Sequence, residues 1–79
     1  MVDKLTKKQG QYLAFIHYYT KLKGRPPAET DMQRYFRVTP PSVHQMVVTL
    51  EKRRFIERVQ GQPRSIRVLL PRGEFPDLE

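Results

Sequence analysis

Two prolines at 40 and 41, directly after a threonine and directly before an apolar stripe, constrain this chain more than any other feature. Inside a helix a proline removes a hydrogen bond and clashes with the preceding turn. In the first turn its missing N–H has no intrahelical partner to lose. Thr39-Pro40-Pro41 therefore reads as a helix start, with Thr39 as N-cap and Pro40 at the first helical position. Val43, Met46, Val47 and Leu50 follow at i, i+3, i+4 and i+7, the spacing of one buried helical face. At about 100° per residue the opposite face carries Pro41, Ser42, Gln45, Val48, Thr49 and Lys52, with His44 at its edge.

The elements on either side follow from their own punctuation. Thr6-Lys7-Lys8-Gln9 fits a capping box, with Leu5 as a staple residue before it. Tyr12, Ile16 and Tyr19 then repeat at helical spacing, flanked by Leu13 and Phe15. Tyr18 falls on the outer face, and His17 reads as a surface residue. Gly24 ends this first helix, and Arg25-Pro26-Pro27 forces an extended connector. A second helix is expected over 29–37, with Met32, Tyr35 and Phe36 inward. Its start is open, because Ala28 cannot cap: either Thr30 caps a shorter helix or the first turn is uncapped. Val38 and Thr39 form the turn into the third helix. Residues 55–59 and 65–69 read as strands joined by Gln60-Gly61-Gln62-Pro63-Arg64, with Ile66 and Val68 inward and Ser65 and Arg67 outward. The expected fold is α+β: a three-helix winged helix-turn-helix with a C-terminal two-stranded β-hairpin wing. It spans residues 1–70, and the Pro- and Gly-bearing stretch 71–79 is expected to be a flexible tail.

Composition narrows the function classes. Seventy-nine residues permit one domain with a modest core. With 15 Lys+Arg against 8 Asp+Glu the formal net charge is +7, which attracts polyanions: nucleic acid or an anionic membrane surface. No apolar run approaches the ~18 residues of a membrane span, and Met1–Leu5 lacks the apolar stretch of a signal peptide. A soluble, cytoplasmic protein associated with the bacterial nucleoid is expected. There is no cysteine for disulfides or thiolate metal sites. His44 has Val47 and Val48 at i+3 and i+4, and His17 has Thr20 and Lys21, so neither has a metal-binding neighbour. No nucleophile–base pair, paired carboxylates or Gly-rich phosphate loop is present, so no catalysis, cofactor or metal is expected. A helix exposing small polar residues at its start, followed by an arginine-bearing hairpin, is how a winged helix-turn-helix grips duplex DNA.

Leu5-Thr6…Gln9, Pro26-Pro27 and the hairpin pattern Ile56-Glu57-x-Val59-x-Gly61-x-x-Arg64-x-Ile66-Arg67-x-Leu69 resemble the N-terminal DNA-binding domain of LexA repressors, over about Leu5 to Leu70. The segment from Thr39 to Val47 is also similar to recognition helices of metal-dependent repressors and other bacterial winged-helix regulators. The LexA resemblance implies base reading from the start of the third helix, at Thr39, Pro41, Ser42, His44 and Gln45. The family has an asparagine where Pro41 stands and carboxylates where His44 and Gln45 stand, so position and role carry over and the operator does not. The family's self-cleaving Ser-Lys peptidase domain, which also dimerises, is expected to be absent, and the chain has no Ala-Gly dipeptide of the kind such repressors cleave.

Each candidate has a plainer alternative. Gln45 fits the N6/N7 edge of adenine and Ser42 serves either base type; otherwise both are solvated helix residues. Pro41 and Val48 suit a thymine methyl; otherwise Pro41 only starts the helix and Val48 packs against the first helix. Thr49 completes the base-reading set. Lys52, Arg53 and Arg54 close the third helix and contact phosphate, or only complement the helix dipole and face solvent. Lys7 and Lys8, beside the free amides of a helix start, suit a phosphate or are ordinary surface lysines. Arg64 and Arg67, with Gln60 and Gln62 at the tip, are the wing's backbone candidates: Arg64 foremost, at a phosphate or in the minor groove, and Arg67 equally a solvated charge along the sheet. The aromatic residues suit a core better than a stacking platform for single strands. The expected function is sequence-specific double-stranded DNA binding as a repressor, on an inverted-repeat operator and as a homodimer on DNA. The alternatives are a winged-helix protein-interaction or adaptor module and an RNA-associated one.

Overall fold

The structure, a computed structural model, describes residues 5–79, so the first four residues of the expected 1–70 domain lie outside it. Helix α1 (Lys7–Lys23) starts at its capping box: the Gln9 amide donates to the Thr6 hydroxyl and the Thr6 amide to Gln9 Oε1, each at 3.0 Å. Gly24, in the left-handed region at φ 73°, ends it. Helix α2 (Glu29–Phe36) takes the second of the two expected starts, a first turn whose N-cap residue Ala28 offers no side-chain cap. Asp31 reaches back instead, and its carboxylate accepts the Ala28 amide at 2.8 Å. That satisfies a free donor and sets a negative charge on the positive end of the helix. Arg37, expected to be helical, is left-handed at φ 56°, and the Val38 amide turns back to the Gln33 carbonyl.

Helix α3 (Pro40–Lys52) begins at Thr39, whose hydroxyl accepts the Ser42 amide at 3.4 Å. It closes in a Schellman motif. Arg54 is left-handed at φ 63°, the Phe55 amide donates to the Leu50 carbonyl, and the Arg54 amide donates to that of Glu51. Phe55 and Leu50 are both buried there, the apolar pair that accompanies such an ending.

Strands β1 (Ile56–Glu57) and β2 (Arg67–Val68) pair antiparallel, Ile56 opposite Val68 and Glu57 opposite Arg67. They are shorter than expected because a side chain replaces the ladder. The Val59 amide donates to Ser65 Oγ at 2.8 Å, and that hydroxyl also lies against the Val59 and Gln62 carbonyls. Ile66 is buried and Arg67 exposed, as the alternation requires.

The core joins Tyr12, Leu13, Phe15 and Ile16 of α1 to Met32, to Val43, Val47 and Leu50 of α3, and to Phe55, Ile56 and Ile66 of the wing. Phe36 stacks on Tyr12 with centroids 4.2 Å apart. Tyr35, expected inward, is 45 % exposed, its ring resting on Phe15 and Phe36. Val48 is half-buried.

Tyr12 to Ile16 are all buried, and five successive residues go about once round a helix. The last nine residues supply the cover on the outer side. Residues 71–79, expected as a flexible tail, form a 3-10 turn (Arg72–Glu74) and lie across α1, with Phe75 buried in the core. Pro76 sits over Gly10. Tyr18 donates to Asp77 Oδ1 at 3.0 Å and accepts from Arg72, so it is half-buried rather than outward-facing. Gln11 clasps the main chain twice, donating to the Asp77 carbonyl at 3.0 Å and accepting the Glu79 amide at 2.8 Å. His17 is half-buried too, edge-on to Phe75. Packing therefore does not stop at residue 70.

Candidate nucleic-acid interface

Helix α3 meets the core along Val43, Val47 and Leu50, which leaves Thr39, Pro41, Ser42, Gln45 and Lys52 exposed and Thr49 half-buried on the other side. A shallow groove lined by Pro41, Ser42, Gln45, Met46 and Thr49 runs to Gln9 at the start of α1. The hydroxyls along this face differ in what they have left to give. Thr39 Oγ1 and Ser42 Oγ share one hydrogen bond at 2.9 Å. Thr49 donates its proton to the Gln45 carbonyl at 2.9 Å and is left as an acceptor. The Gln45 carboxamide has no partner among the described residues, so its donor and its acceptor are both available, as bidentate recognition of a base edge requires.

His44 is exposed but turned away from this set, with Nδ1 3.4 Å from Glu29 Oε2. Glu29 also lies 3.5 Å from Arg58, whose Nε donates to Glu51 at 3.1 Å. His44 thus belongs to a chain of polar contacts joining α2, α3 and the wing. Arg58 carries no signal in the strand alternation, and sequence reasoning missed it. Asp31 was missed as well, although a carboxylate three residues past a helix start is a capping signal.

The candidate backbone contacts divide by partner. Lys8 and Lys52 are exposed, and their side chains make no hydrogen bond or ion pair with a described residue. Lys7 pairs with Glu79 at 3.7 Å, both largely in solvent, a pairing of little strength. Arg53 and Gln62 are exposed. The two wing arginines are occupied. Arg67 pairs across the strands with Glu57. Arg64 Nη1 donates to Asp31 at 2.9 Å, to the Pro26 carbonyl at 3.3 Å and to the Tyr19 hydroxyl at 3.4 Å, tying the loop to α1, the connector and α2. Burial alone would raise the Asp31 pKa. The Ala28 amide, Arg64 and Arg34 outweigh that and hold it below its ordinary value. The wing tip, Gln60-Gly61-Gln62, is left open, and Gly61 at φ 83° has open space where a side chain would stand.

Among the described residues no helix is long and apolar enough to cross a membrane. A family model described as the LexA DNA binding domain matches residues 2–65. The LexA repressor of Thermotoga neapolitana is 42 % identical over 64 residues, 81 % of this chain and 32 % of that protein. The LexA repressor of Thermotoga petrophila is 39 % identical over 64 residues, with shares of 81 % and 32 %. That of Thermosipho melanesiensis is 38 % identical over 65 residues, 82 % of this chain and 33 % of that repressor. The chain spans about a third of the length of the curated relatives it matches.

Proposed function

The chain belongs to the LexA DNA-binding domain family, and from that premise we propose that it is a repressor module that binds double-stranded DNA with α3 in the major groove. The observation that carries this reading is the outer face of α3: an exposed Gln45 carboxamide that, among the described residues, has no partner, flanked by Ser42 and Pro41, with exposed Lys52 farther along the same helix. Gln45 and Ser42 read base edges and Pro41 meets a thymine methyl. Thr39 and Thr49 border the contact, and His44 acts through Glu29. Lys7, Lys8, Lys52 and Arg53 meet phosphates. Arg64 and Arg67 orient the wing through Asp31 and Glu57, so that Gly61 and Gln62 approach the backbone.

One such module covers a half-site, and two copies side by side on an inverted repeat form the working repressor complex. The reading assigns no catalysis to these residues and places the protein in the cytoplasm at the nucleoid. Selection from a random duplex pool supplies the site, and anisotropy titrations on single and paired half-sites test it. With about five phosphates neutralised, log affinity falls against log salt with a slope near −4.5. Paired half-sites bind much more tightly than single ones, and Gln45→Ala relaxes preference at one base position. Salt-insensitive binding, or a Gln45→Ala variant with unchanged preference, refutes the assignment.

A further inference from the structure

Among the described residues, Arg37 and Arg54 are the non-glycine residues with a left-handed backbone, at φ 56° and 63°. They stand at the two ends of α3, Arg37 three residues before Pro40 and Arg54 two after Lys52. Both are exposed, and neither side chain makes a hydrogen bond, ion pair or ring contact with a described residue. A Cβ is disfavoured in that conformation and glycine is the usual occupant after a helix, as Gly24 is after α1. The chain thus places a strained residue at both ends of one helix, and both times the residue is arginine.

Helix dipoles do not account for this. A cation near a helix C-terminus is favourable, but each helix already has one inside its last turn: Lys21 and Lys23 in α1, Arg34 in α2 and Lys52 in α3. Packing does not account for it either, since neither side chain is buried. The left-handed turns close the two helix ends, but glycine would close them without strain, and an arginine side chain with no internal contact there points to work done outside the fold.

We propose that Arg37 and Arg54 are phosphate-binding residues that bracket α3, one for each backbone of the groove the helix enters. This rests on α3 occupying the major groove. Thirteen helical residues extend about 20 Å, against a groove about 12 Å wide, so the two ends of α3 lie near opposite phosphate rails. A guanidinium suits the task, because its fixed fork engages two phosphate oxygens at once.

The test pairs affinity with stability, using the full chain and a labelled duplex taken from the random-pool selection. Arg37→Gln and Arg54→Gln keep the strain and remove the charge. Each should bind about eightfold more weakly at 0.1 M salt, with a salt slope shallower by about 0.9. Arg54→Lys should retain the slope. Arg37→Gly and Arg54→Gly should lose the same affinity while their thermal midpoints rise by a few degrees, because glycine relieves the backbone. Gln variants with an unaltered slope, or Gly variants that melt earlier, overturn the proposal. If the unmodified chain shows no salt-dependent binding to duplex DNA, the groove reading itself fails, a result distinct from any variant's behaviour.

Discussion

Replacing Gly10 by alanine should change sign with the identity of residue 76. In an open helix the exchange stabilises by about 1 kcal/mol, because alanine loses less backbone entropy. Here a Cβ at position 10 would stand 2.8 Å from Pro76 Cδ and 2.9 Å from Cγ. That is about 0.6 Å inside the nearest ordinary carbon contact. The proline ring has no flexible end to move. Its neighbours hold it down, Phe75 by burial and Asp77 by hydrogen bonds to Gln11 and Tyr18. Overpacking of this kind costs about 1–3 kcal/mol. The net effect of Gly10→Ala is then a loss of about 0–2 kcal/mol once the helical gain is subtracted. In a Pro76→Ala background the two ring carbons are gone, and the same exchange should stabilise by about 1 kcal/mol. Urea unfolding of the four proteins, followed by far-UV circular dichroism, reads the coupling, expected at about 1–3 kcal/mol. If Gly10→Ala stabilises equally in both backgrounds, the C-terminal residues do not lie on α1 in solution and the account of the tail is refuted.

Phe75→Ala should lower stability by about 3 kcal/mol, the low end for a buried phenylalanine because Phe75 sits at the margin of the core. A loss under about 1 kcal/mol in the same urea assay would return residues 71–79 to a free tail. Asp31 makes a pH prediction. Its folded pKa lies below the unfolded value of about 3.9, so its contribution is complete above that value and drains away as pH falls through the folded one. Asp31→Asn should therefore destabilise the protein at pH 7 and flatten the loss of stability below about pH 4. An acid limb identical to that of the unmodified protein rules this out.

Local sequence specified the limits of α1 and α3, the outer face of α3 and the order of elements, but not the limits of α2. These rest on contacts three to five residues apart: the Thr6–Gln9 box, the Thr39 cap with its prolines, the left-handed Gly24 and the stripe through Val43, Val47 and Leu50. Every partner in such a contact lies inside one short window, so residue type and spacing state it completely. Tertiary structure decided the rest. Ser65 cut the strands short, Glu29 drew the His44 ring to itself, and Asp31, 33 residues away, took a hydrogen bond from the Arg64 guanidinium. Gln11 seized a tail 66 residues downstream. A polar or aromatic side chain in isolation is compatible with solvent, core or ligand alike. Which of these it meets depends on what the folded chain brings beside it, and no local pattern encodes that.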